Sequence, residues 1–182
     1  MLTPEQEKLI IARAKTDPPA FGPLYEAHFN VVFGFIFKRL RDQEATAELT
    51  SMVFLKALHA LPRYEWTGAP FSSWLISIAL NETRLYFRRN KTDVTVPISE
   101  TDVTQLREEL NNDEDLEQSL ARLADSLGRL ESEEQELIEL RFFEHYSFAQ
   151  MGEILSISSD NAKTRTYRAL ARLRTLMLKA AQ

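Results

Sequence analysis

The chain has 182 residues, enough for one medium domain or two small ones, with 44% hydrophobic residues and a net charge of −5. It contains no cysteine, which excludes disulfides and thiolate metal sites, and its three histidines form no metal-binding motif, so we expect no metal and no cofactor. No apolar run approaches membrane-spanning length and the first residues lack a secretory pattern, so we expect a cytoplasmic protein without membrane insertion.

The first segment predicts a short helix with a well-defined start. Thr3 can serve as N-cap, Pro4 suits the first helical position, and Gln6 completes a capping box. The sequence Asp17-Pro18-Pro19 predicts the end of this helix.

Three longer helices are predicted before residue 91, because glycine is scarce and apolar residues recur mostly at spacings of three and four. We expect them over about 23–40, 43–61 and 71–90, with Asp42 capping the second. Two prolines and a glycine predict a loop at 62–70 before the third. The apolar residues expected to face the core are Leu24, Phe29, Val32, Phe33, Ile36, Phe37, Phe71, Trp74, Leu75, Ile78 and Leu85.

An acidic segment follows, with ten acidic and four basic residues over 91–130. The stretch TDVTVPISETD has β-branched and turn residues and no helical stripe, which is typical of a linker. We therefore predict a first domain over 1–92, a linker over 93–113 and a second domain over 114–182. The second domain is expected to open with a helix around 114–127.

The last fifty residues predict three helices joined by short turns. Capping boxes are expected at Ser132 with Gln135 and at Ser147 with Gln150, and Asp160 is expected to cap the last helix. Three helices in this order make a helix-turn-helix unit. The expected ranges are 132–144, 147–155 and 160–179.

Residue types at the predicted turn suit a close helix crossing. Gly152 supplies the small residue that the crossing needs. Apolar residues that can fill the seam between the two helices are Met151, Leu155, Ile157, Ala162 and Leu170.

The last predicted helix carries a basic face. Asn161, Arg165, Arg168 and Arg172 recur at spacings of four, three and four, and no acidic residue occurs after Asp160. A helix of this kind, presented after a tight turn, fits the major groove of DNA. Periodicity alone leaves open a second interpretation, in which the arginines only solvate one face of a helical hairpin.

Three stretches in order carry a family resemblance: DQEATAELTSMVFLKALHAL, FSSWLISIALNETRLYFRR and LESEEQELIELRFFEHYSFAQMGEILSISSDNAKTRTYRALARLR. They resemble the bacterial RNA polymerase sigma factors of the extracytoplasmic-function group, within the sigma-70 family. The resemblance implies an all-α fold of two small helical domains, the second a helix-turn-helix. It also implies core RNA polymerase and promoter DNA as partners, with an anti-sigma factor as a further one, and no catalytic residue.

The resemblance assigns residues to three tasks. Polymerase binding falls on Glu48, Leu49, Phe54, Leu55 and Lys56, with Ser51 and Met52 standing where the family commonly has a Gln-Glu pair. Recognition of the minus-ten element falls on Tyr64, Trp66, Phe71, Asn81, Arg84, Arg88 and Arg89. Recognition of the minus-thirty-five element falls on Asn161, Lys163, Thr164, Arg165, Arg168 and Arg172.

The residue types suit these tasks physically. Aromatic rings can stack on unpaired bases while nearby cations hold the backbone of the strand. For Trp66, base contact and internal packing stay equally open. Ser156 stands in the helix-turn-helix turn where the family often has glycine, so a left-handed backbone there would cost free energy.

Two other functions compete with this one. A stand-alone helix-turn-helix regulator would bind an operator without polymerase, but it leaves the FSSWL helix and its aromatic loop unexplained. An all-helical scaffold would need no DNA at all. An enzyme is disfavoured, because the sequence shows no paired carboxylates, nucleophile–base set or phosphate loop.

Overall fold

The computed structural model describes residues 2–90, 106 and 123–180. The chain divides into two compact units, Met1–Val96 and Pro97–Gln182, and the secondary structure of the described residues is helical, without strands. The predicted linker over 93–113 and most of the helix predicted around 114–127 lie outside the described residues. Among the described helices, none combines the length and the apolar character that crossing a membrane would require.

Over residues 2–90, unit 1 has four α-helices and two short 3₁₀ turns. Thr3 begins the first helix as predicted: its backbone N–H donates to Gln6 Oε1 at 2.9 Å, and its hydroxyl accepts from the Gln6 N–H. The predicted cap Asp42 is also confirmed, since its carboxylate accepts from the Ala45 N–H at 2.8 Å. The elements are α1 (Pro4–Ala14), a turn at Pro18–Phe21, α2 (Gly22–Leu40), α3 (Gln43–Ala60), a turn at Leu61–Arg63, and α4 (Phe71–Asn90).

The core of unit 1 lies where α2, α3 and α4 pack against one another, with α1 against α2. Leu24, Val32 and Ile36 are fully buried on α2. The prediction that Phe29, Phe33 and Phe37 share this core is wrong: the first two are half-buried and Phe37 is 37% exposed. Each step of four residues turns about 40° around a helix, so this series leaves the core face progressively.

Apart from Leu106, which is helical and buried, unit 2 is described from residue 123, with 123–128 helical. Helix α5 (Ser132–Ile138) continues into a π-helical turn at Glu139–Phe143, and α6 (Phe148–Leu155) and α7 (Ser159–Ala180) follow. Both α5 and α6 pack against α7.

Two of the three predicted caps in unit 2 are displaced. The Glu131 N–H donates to the Glu134 carboxylate at 3.0 Å, so α5 is capped one residue earlier than predicted. Two overlapping capping boxes compete here, Glu131 with Glu134 and Ser132 with Gln135. The Glu134 carboxylate is charged and makes a stronger hydrogen bond than the Gln135 amide would. Ser158 caps α7 by accepting from the Asn161 N–H at 3.2 Å, which leaves Asp160 in the first turn. The box of Ser147 and Gln150 is confirmed.

The turn between α6 and α7 depends on two residues. A Cβ at Gly152 would lie 2.8 Å from the Ile157 carbonyl oxygen and 3.3 Å from Ser159 N, so only glycine fits the crossing. Ser156 has φ 56° and ψ 43°, a left-handed conformation that costs a non-glycine residue about 1–2 kcal/mol. Both expectations for this turn are confirmed. In the seam, Leu155 and Ile157 are only half-buried.

Candidate nucleic-acid and protein interfaces

Helix α7 presents a polar, basic surface to solvent. Lys163, Thr164 and Arg168 are exposed. Together with Asp160, Tyr167 and Ala171 they line one open depression along the helix. Two cations, a hydroxyl and an aromatic ring on one exposed helix face can contact both phosphates and base edges.

The two other predicted arginines face a different neighbour. The guanidinium of Arg165 is hydrogen-bonded to the carboxylate of Glu133. Arg172 Nη1 lies 3.4 Å from Glu131 Oε1 and 3.2 Å from Glu134 Oε2. Arg165 and Arg172 therefore turn toward the acidic start of α5. DNA would have to compete with these carboxylates for both side chains.

Tyr167 is a candidate that the sequence analysis missed. This residue is 47% exposed, and the centre of its ring lies 6.1 Å from that of Phe148 on α6. The Arg141 guanidinium lies 4.7 Å from the centre of the Phe148 ring and donates to the Tyr146 carbonyl oxygen at 3.0 Å. The signal was present in the sequence, because Tyr167 follows Lys163 and Thr164 at spacings of four and three.

In unit 1, the predicted base-stacking residues separate into interior and surface groups. Tyr64 is 9% exposed and Phe71 is fully buried. The Tyr64 ring lies 5.4 Å from Phe71 and 4.5 Å from Trp74, and Phe71 lies 5.3 Å from Trp74. Tyr64 and Phe71 thus contact other aromatic rings of the protein, whereas Trp66 and Trp74 are half-buried at the surface.

Helix α4 carries a polar face next to this aromatic cluster. Asn81, Arg84, Arg88 and Arg89 are all exposed, and Arg84 Nη1 donates to Asn81 Oδ1 at 3.2 Å. Trp74, Asn81 and Arg88 recur every seven residues, which is about two helical turns, so they lie on the same side of α4. Trp74 was predicted to lie in the core, but it is half-buried at the edge of this polar face.

The residues predicted to bind a protein partner on α3 also divide. Leu49 and Phe54 are buried, at 9% and 4% exposure, and hold α3 in the core. Glu48, Leu55 and Lys56 are exposed, and Leu55 leaves 49% of its surface uncovered. Met52 is 40% exposed on the same side. Lys56 Nζ lies 2.6 Å from Glu82 Oε1, which joins α3 to α4.

Comparisons with known proteins agree with the order of the two units. Residues 24–92 match the family model for Sigma-70 region 2, and residues 120–173 match that for Sigma-70, region 4. The RNA polymerase sigma factor CarQ of Myxococcus xanthus is 31% identical over 159 residues, covering 87% of this chain and 89% of CarQ.

Two further relatives extend the comparison. The ECF RNA polymerase sigma factor BldN of Streptomyces coelicolor is 30% identical over 170 residues. That match covers 92% of this chain, which spans 64% of the length of BldN. The solved structure of CnrH, in complex with the cytosolic domain of CnrY, is 26% identical with a TM-score of 0.58. It covers 96% of this chain and 97% of CnrH.

Proposed function

The chain belongs to the sigma-70 family of RNA polymerase sigma factors, in its extracytoplasmic-function group, and we propose on that premise that it binds core RNA polymerase and directs initiation at promoters. The observation that carries the proposal is that each of the two units presents cations on an exposed helix face. These are Arg84 and Arg88 on α4, and Lys163 and Arg168 on α7.

Unit 2 would read the minus-thirty-five element as duplex DNA. Helix α7 enters the major groove, with Lys163 and Arg168 contacting phosphates or guanine edges and Thr164 reaching bases. Asn161 contributes at the start of the helix. Arg165 and Arg172 join these contacts after leaving the carboxylates of α5.

Unit 1 would capture the unpaired non-template strand of the minus-ten element. Trp66 and Trp74 offer ring surface to unstacked bases, while Asn81, Arg88 and the adjoining arginines hold the strand. Tyr64 and Phe71 support this surface from the interior. Extruding a base costs a few kcal/mol, and stacking and hydrogen bonds in this region must offset that cost.

The exposed face of α3 would dock on the polymerase. Glu48 and Lys56 supply charged contacts, and Leu55 with Met52 supplies apolar contact area. Because the chain carries a net charge of −5, tight binding to DNA in the absence of polymerase is disfavoured. The polymerase therefore supplies much of the affinity that holds both units on the promoter, and the chain itself performs no bond chemistry.

A protein inhibitor is part of the proposal. The relative CnrH forms a complex with the cytosolic domain of CnrY. By analogy, an anti-sigma factor would bind this chain in the cytoplasm and block its access to polymerase or promoter.

One reconstitution tests the function. The purified chain is added to core polymerase, and transcription from genomic fragments is mapped. We expect new start sites with two upstream elements at a fixed spacing, and co-purification of the chain with polymerase. An operator-binding regulator would instead bind duplex DNA tightly by itself and leave the start sites of the core enzyme unchanged, which would refute the proposal.

A further inference from the structure

Helix α1 precedes the segment that matches Sigma-70 region 2, which begins at residue 24. This helix and Lys15, the residue that caps its C-terminus, nevertheless contact both ends of the aromatic loop at 64–70. At the first end, Lys15 Nζ donates to the backbone carbonyl oxygen of Tyr64 at 2.6 Å. This bond fixes the first residue of the loop, where the chain leaves the 3₁₀ turn at Leu61–Arg63.

At the other end of the loop, the side chain of Glu7 on α1 contacts the first residue of α4. Its carboxylate is buried, and Oε2 accepts from the Phe71 N–H at 3.5 Å. That hydrogen bond is long, but the first N–H groups of a helix lack partners within the helix, and its positive dipole end attracts a carboxylate. Glu7 thus supports the first residue of α4 from another helix.

His28 holds the Glu7 carboxylate in place. Its Nε2 lies 2.8 Å from Glu7 Oε1, and its ring centre lies 5.6 Å from that of Phe71. Burial lowers the pKa of His28, and the neighbouring Glu7 carboxylate offsets part of that shift. The ring is therefore mainly neutral at neutral pH, and the close contact of its Nε2 with Oε1 places the Glu7 carboxylate beside the start of α4.

Between these two fixed ends, the loop turns at Gly68, whose φ of 90° is one that side chains rarely tolerate. Trp66 lies in the middle of this short span. Because both ends are held from α1, the position of the Trp66 backbone follows from the position of α1.

We propose that Glu7 and Lys15 are positioning residues, which hold the loop at 64–70 in the geometry that captures the unpaired minus-ten strand. This inference rests on the proposed function of the loop. It adds α1 to the elements that determine how strongly the strand is bound, although α1 itself touches no base.

The test uses holoenzyme reconstituted with Lys15→Met, Lys15→Arg or the control Lys8→Met, which removes the same charge from an exposed position of α1. Affinity for a single-stranded minus-ten oligonucleotide is measured beside affinity for core polymerase and the melting temperature of the free chain. We expect Lys15→Met to weaken strand binding about tenfold, as loss of a charged hydrogen bond predicts. Lys15→Arg should restore most of the affinity, and Lys8→Met should leave it unchanged.

Two results overturn the proposal and differ from a failure of the proposed function. Strand binding by Lys15→Met equal to wild type would show that the contact positions nothing. If Lys15→Met weakens binding to the strand and to core polymerase by the same factor and also lowers the melting temperature, the role of Lys15 is purely structural. If wild-type holoenzyme does not bind the strand, the function proposed for unit 1 fails together with this inference.

Glu7→Gln provides a second variant, with Glu5→Gln at an exposed position as its control. Glutamine keeps an acceptor oxygen but removes the charge near the start of α4. We expect weaker strand binding for Glu7→Gln and none of that loss for Glu5→Gln. Identical strand binding by the two variants would overturn the part assigned to Glu7.

Discussion

The surfaces that we propose to contact DNA are built in different ways in the two units. In unit 2 the surface is one face of α7, where spacing along a single helix determines which side chains point outward. In unit 1 it combines a loop with one face of α4, and the buried rings of Tyr64 and Phe71 support it. Periodicity therefore locates a helix face well, whereas the direction of a loop side chain depends on its tertiary contacts.

We expect the largest change for a substitution that destabilises unit 2 and leaves unit 1 unaffected. In Gly152→Ala the new Cβ would meet the Ile157 carbonyl oxygen, so we expect the free energy of unfolding of unit 2 to fall by about 1–3 kcal/mol. Gly128→Ala is the control, because no atom lies within 4 Å of a Cβ at that position.

Spectroscopy can separate the two units in this experiment. Both tryptophans lie in unit 1, so tryptophan fluorescence reports only its unfolding, while far-ultraviolet circular dichroism follows both units. In urea, Gly152→Ala should shift part of the dichroism transition and leave the fluorescence midpoint unchanged. A matching shift in fluorescence would contradict this prediction, because it would mean that the substitution also destabilises unit 1.

The next prediction compares how much two arginines of unit 2 contribute to promoter binding. Arg168→Ala should weaken promoter binding by the holoenzyme by about 1–3 kcal/mol, the usual cost of losing one base or phosphate contact. Arg165→Ala should reduce binding and transcription less, because Arg165 must first give up Glu133. Neither variant should lose affinity for core polymerase. The reverse order, measured by competition with unlabelled promoter, would show that Arg165 is the principal contact.

A smaller effect tests the carboxylates of α5 directly. Glu133→Gln releases Arg165, so affinity for minus-thirty-five duplex should rise by about 0.2–1 kcal/mol, the range for an exposed ion pair. The gain should shrink as salt is raised, since surface charges are screened. Glu153→Gln on α6 removes the same charge elsewhere in unit 2 and serves as control. An equal gain in both variants would indicate a general charge effect.

The smallest effect concerns pH and unit 1. Because burial lowers the pKa of His28, the unfolded chain binds more protons than the folded chain once the pH falls below about 6.5. The free energy of unfolding of unit 1 should therefore decrease as the pH is lowered from about 6.5 toward the lower pKa of His28 in the folded chain. His28→Gln should reduce this dependence, and His59→Gln, at an exposed position of α3, should retain it. Tryptophan fluorescence in urea at several pH values measures the slope for each variant.

Structural features that depend on residues close together in the sequence were predicted more accurately than features that depend on tertiary contacts. The caps at Thr3, Asp42 and Ser147 and the close approach at Gly152 follow from interactions within a few residues, and all four are confirmed. The cap expected at Ser132 was wrong because two acceptors one residue apart compete.

Exposure was harder to predict. Trp74 was assigned to the core and Phe37 to the buried face of α2, yet both reach the surface because neighbouring helices cover only part of each face. The pairing of Arg165 and Arg172 with the start of α5 was also missed, since it joins residues more than thirty positions apart.

We propose that unit 1 contacts a separated strand while unit 2 contacts duplex DNA on the same promoter. Site-specific photo-crosslinking can detect both contacts, with a photoreactive amino acid at position 66 or, separately, at position 163 of the chain in holoenzyme. We predict crosslinks from position 66 to the non-template strand of the minus-ten element only after the DNA opens. Position 163 should crosslink to the minus-thirty-five duplex before and after opening. Crosslinks from position 66 to closed duplex, or none from position 163, would refute this division of DNA contacts between the two units.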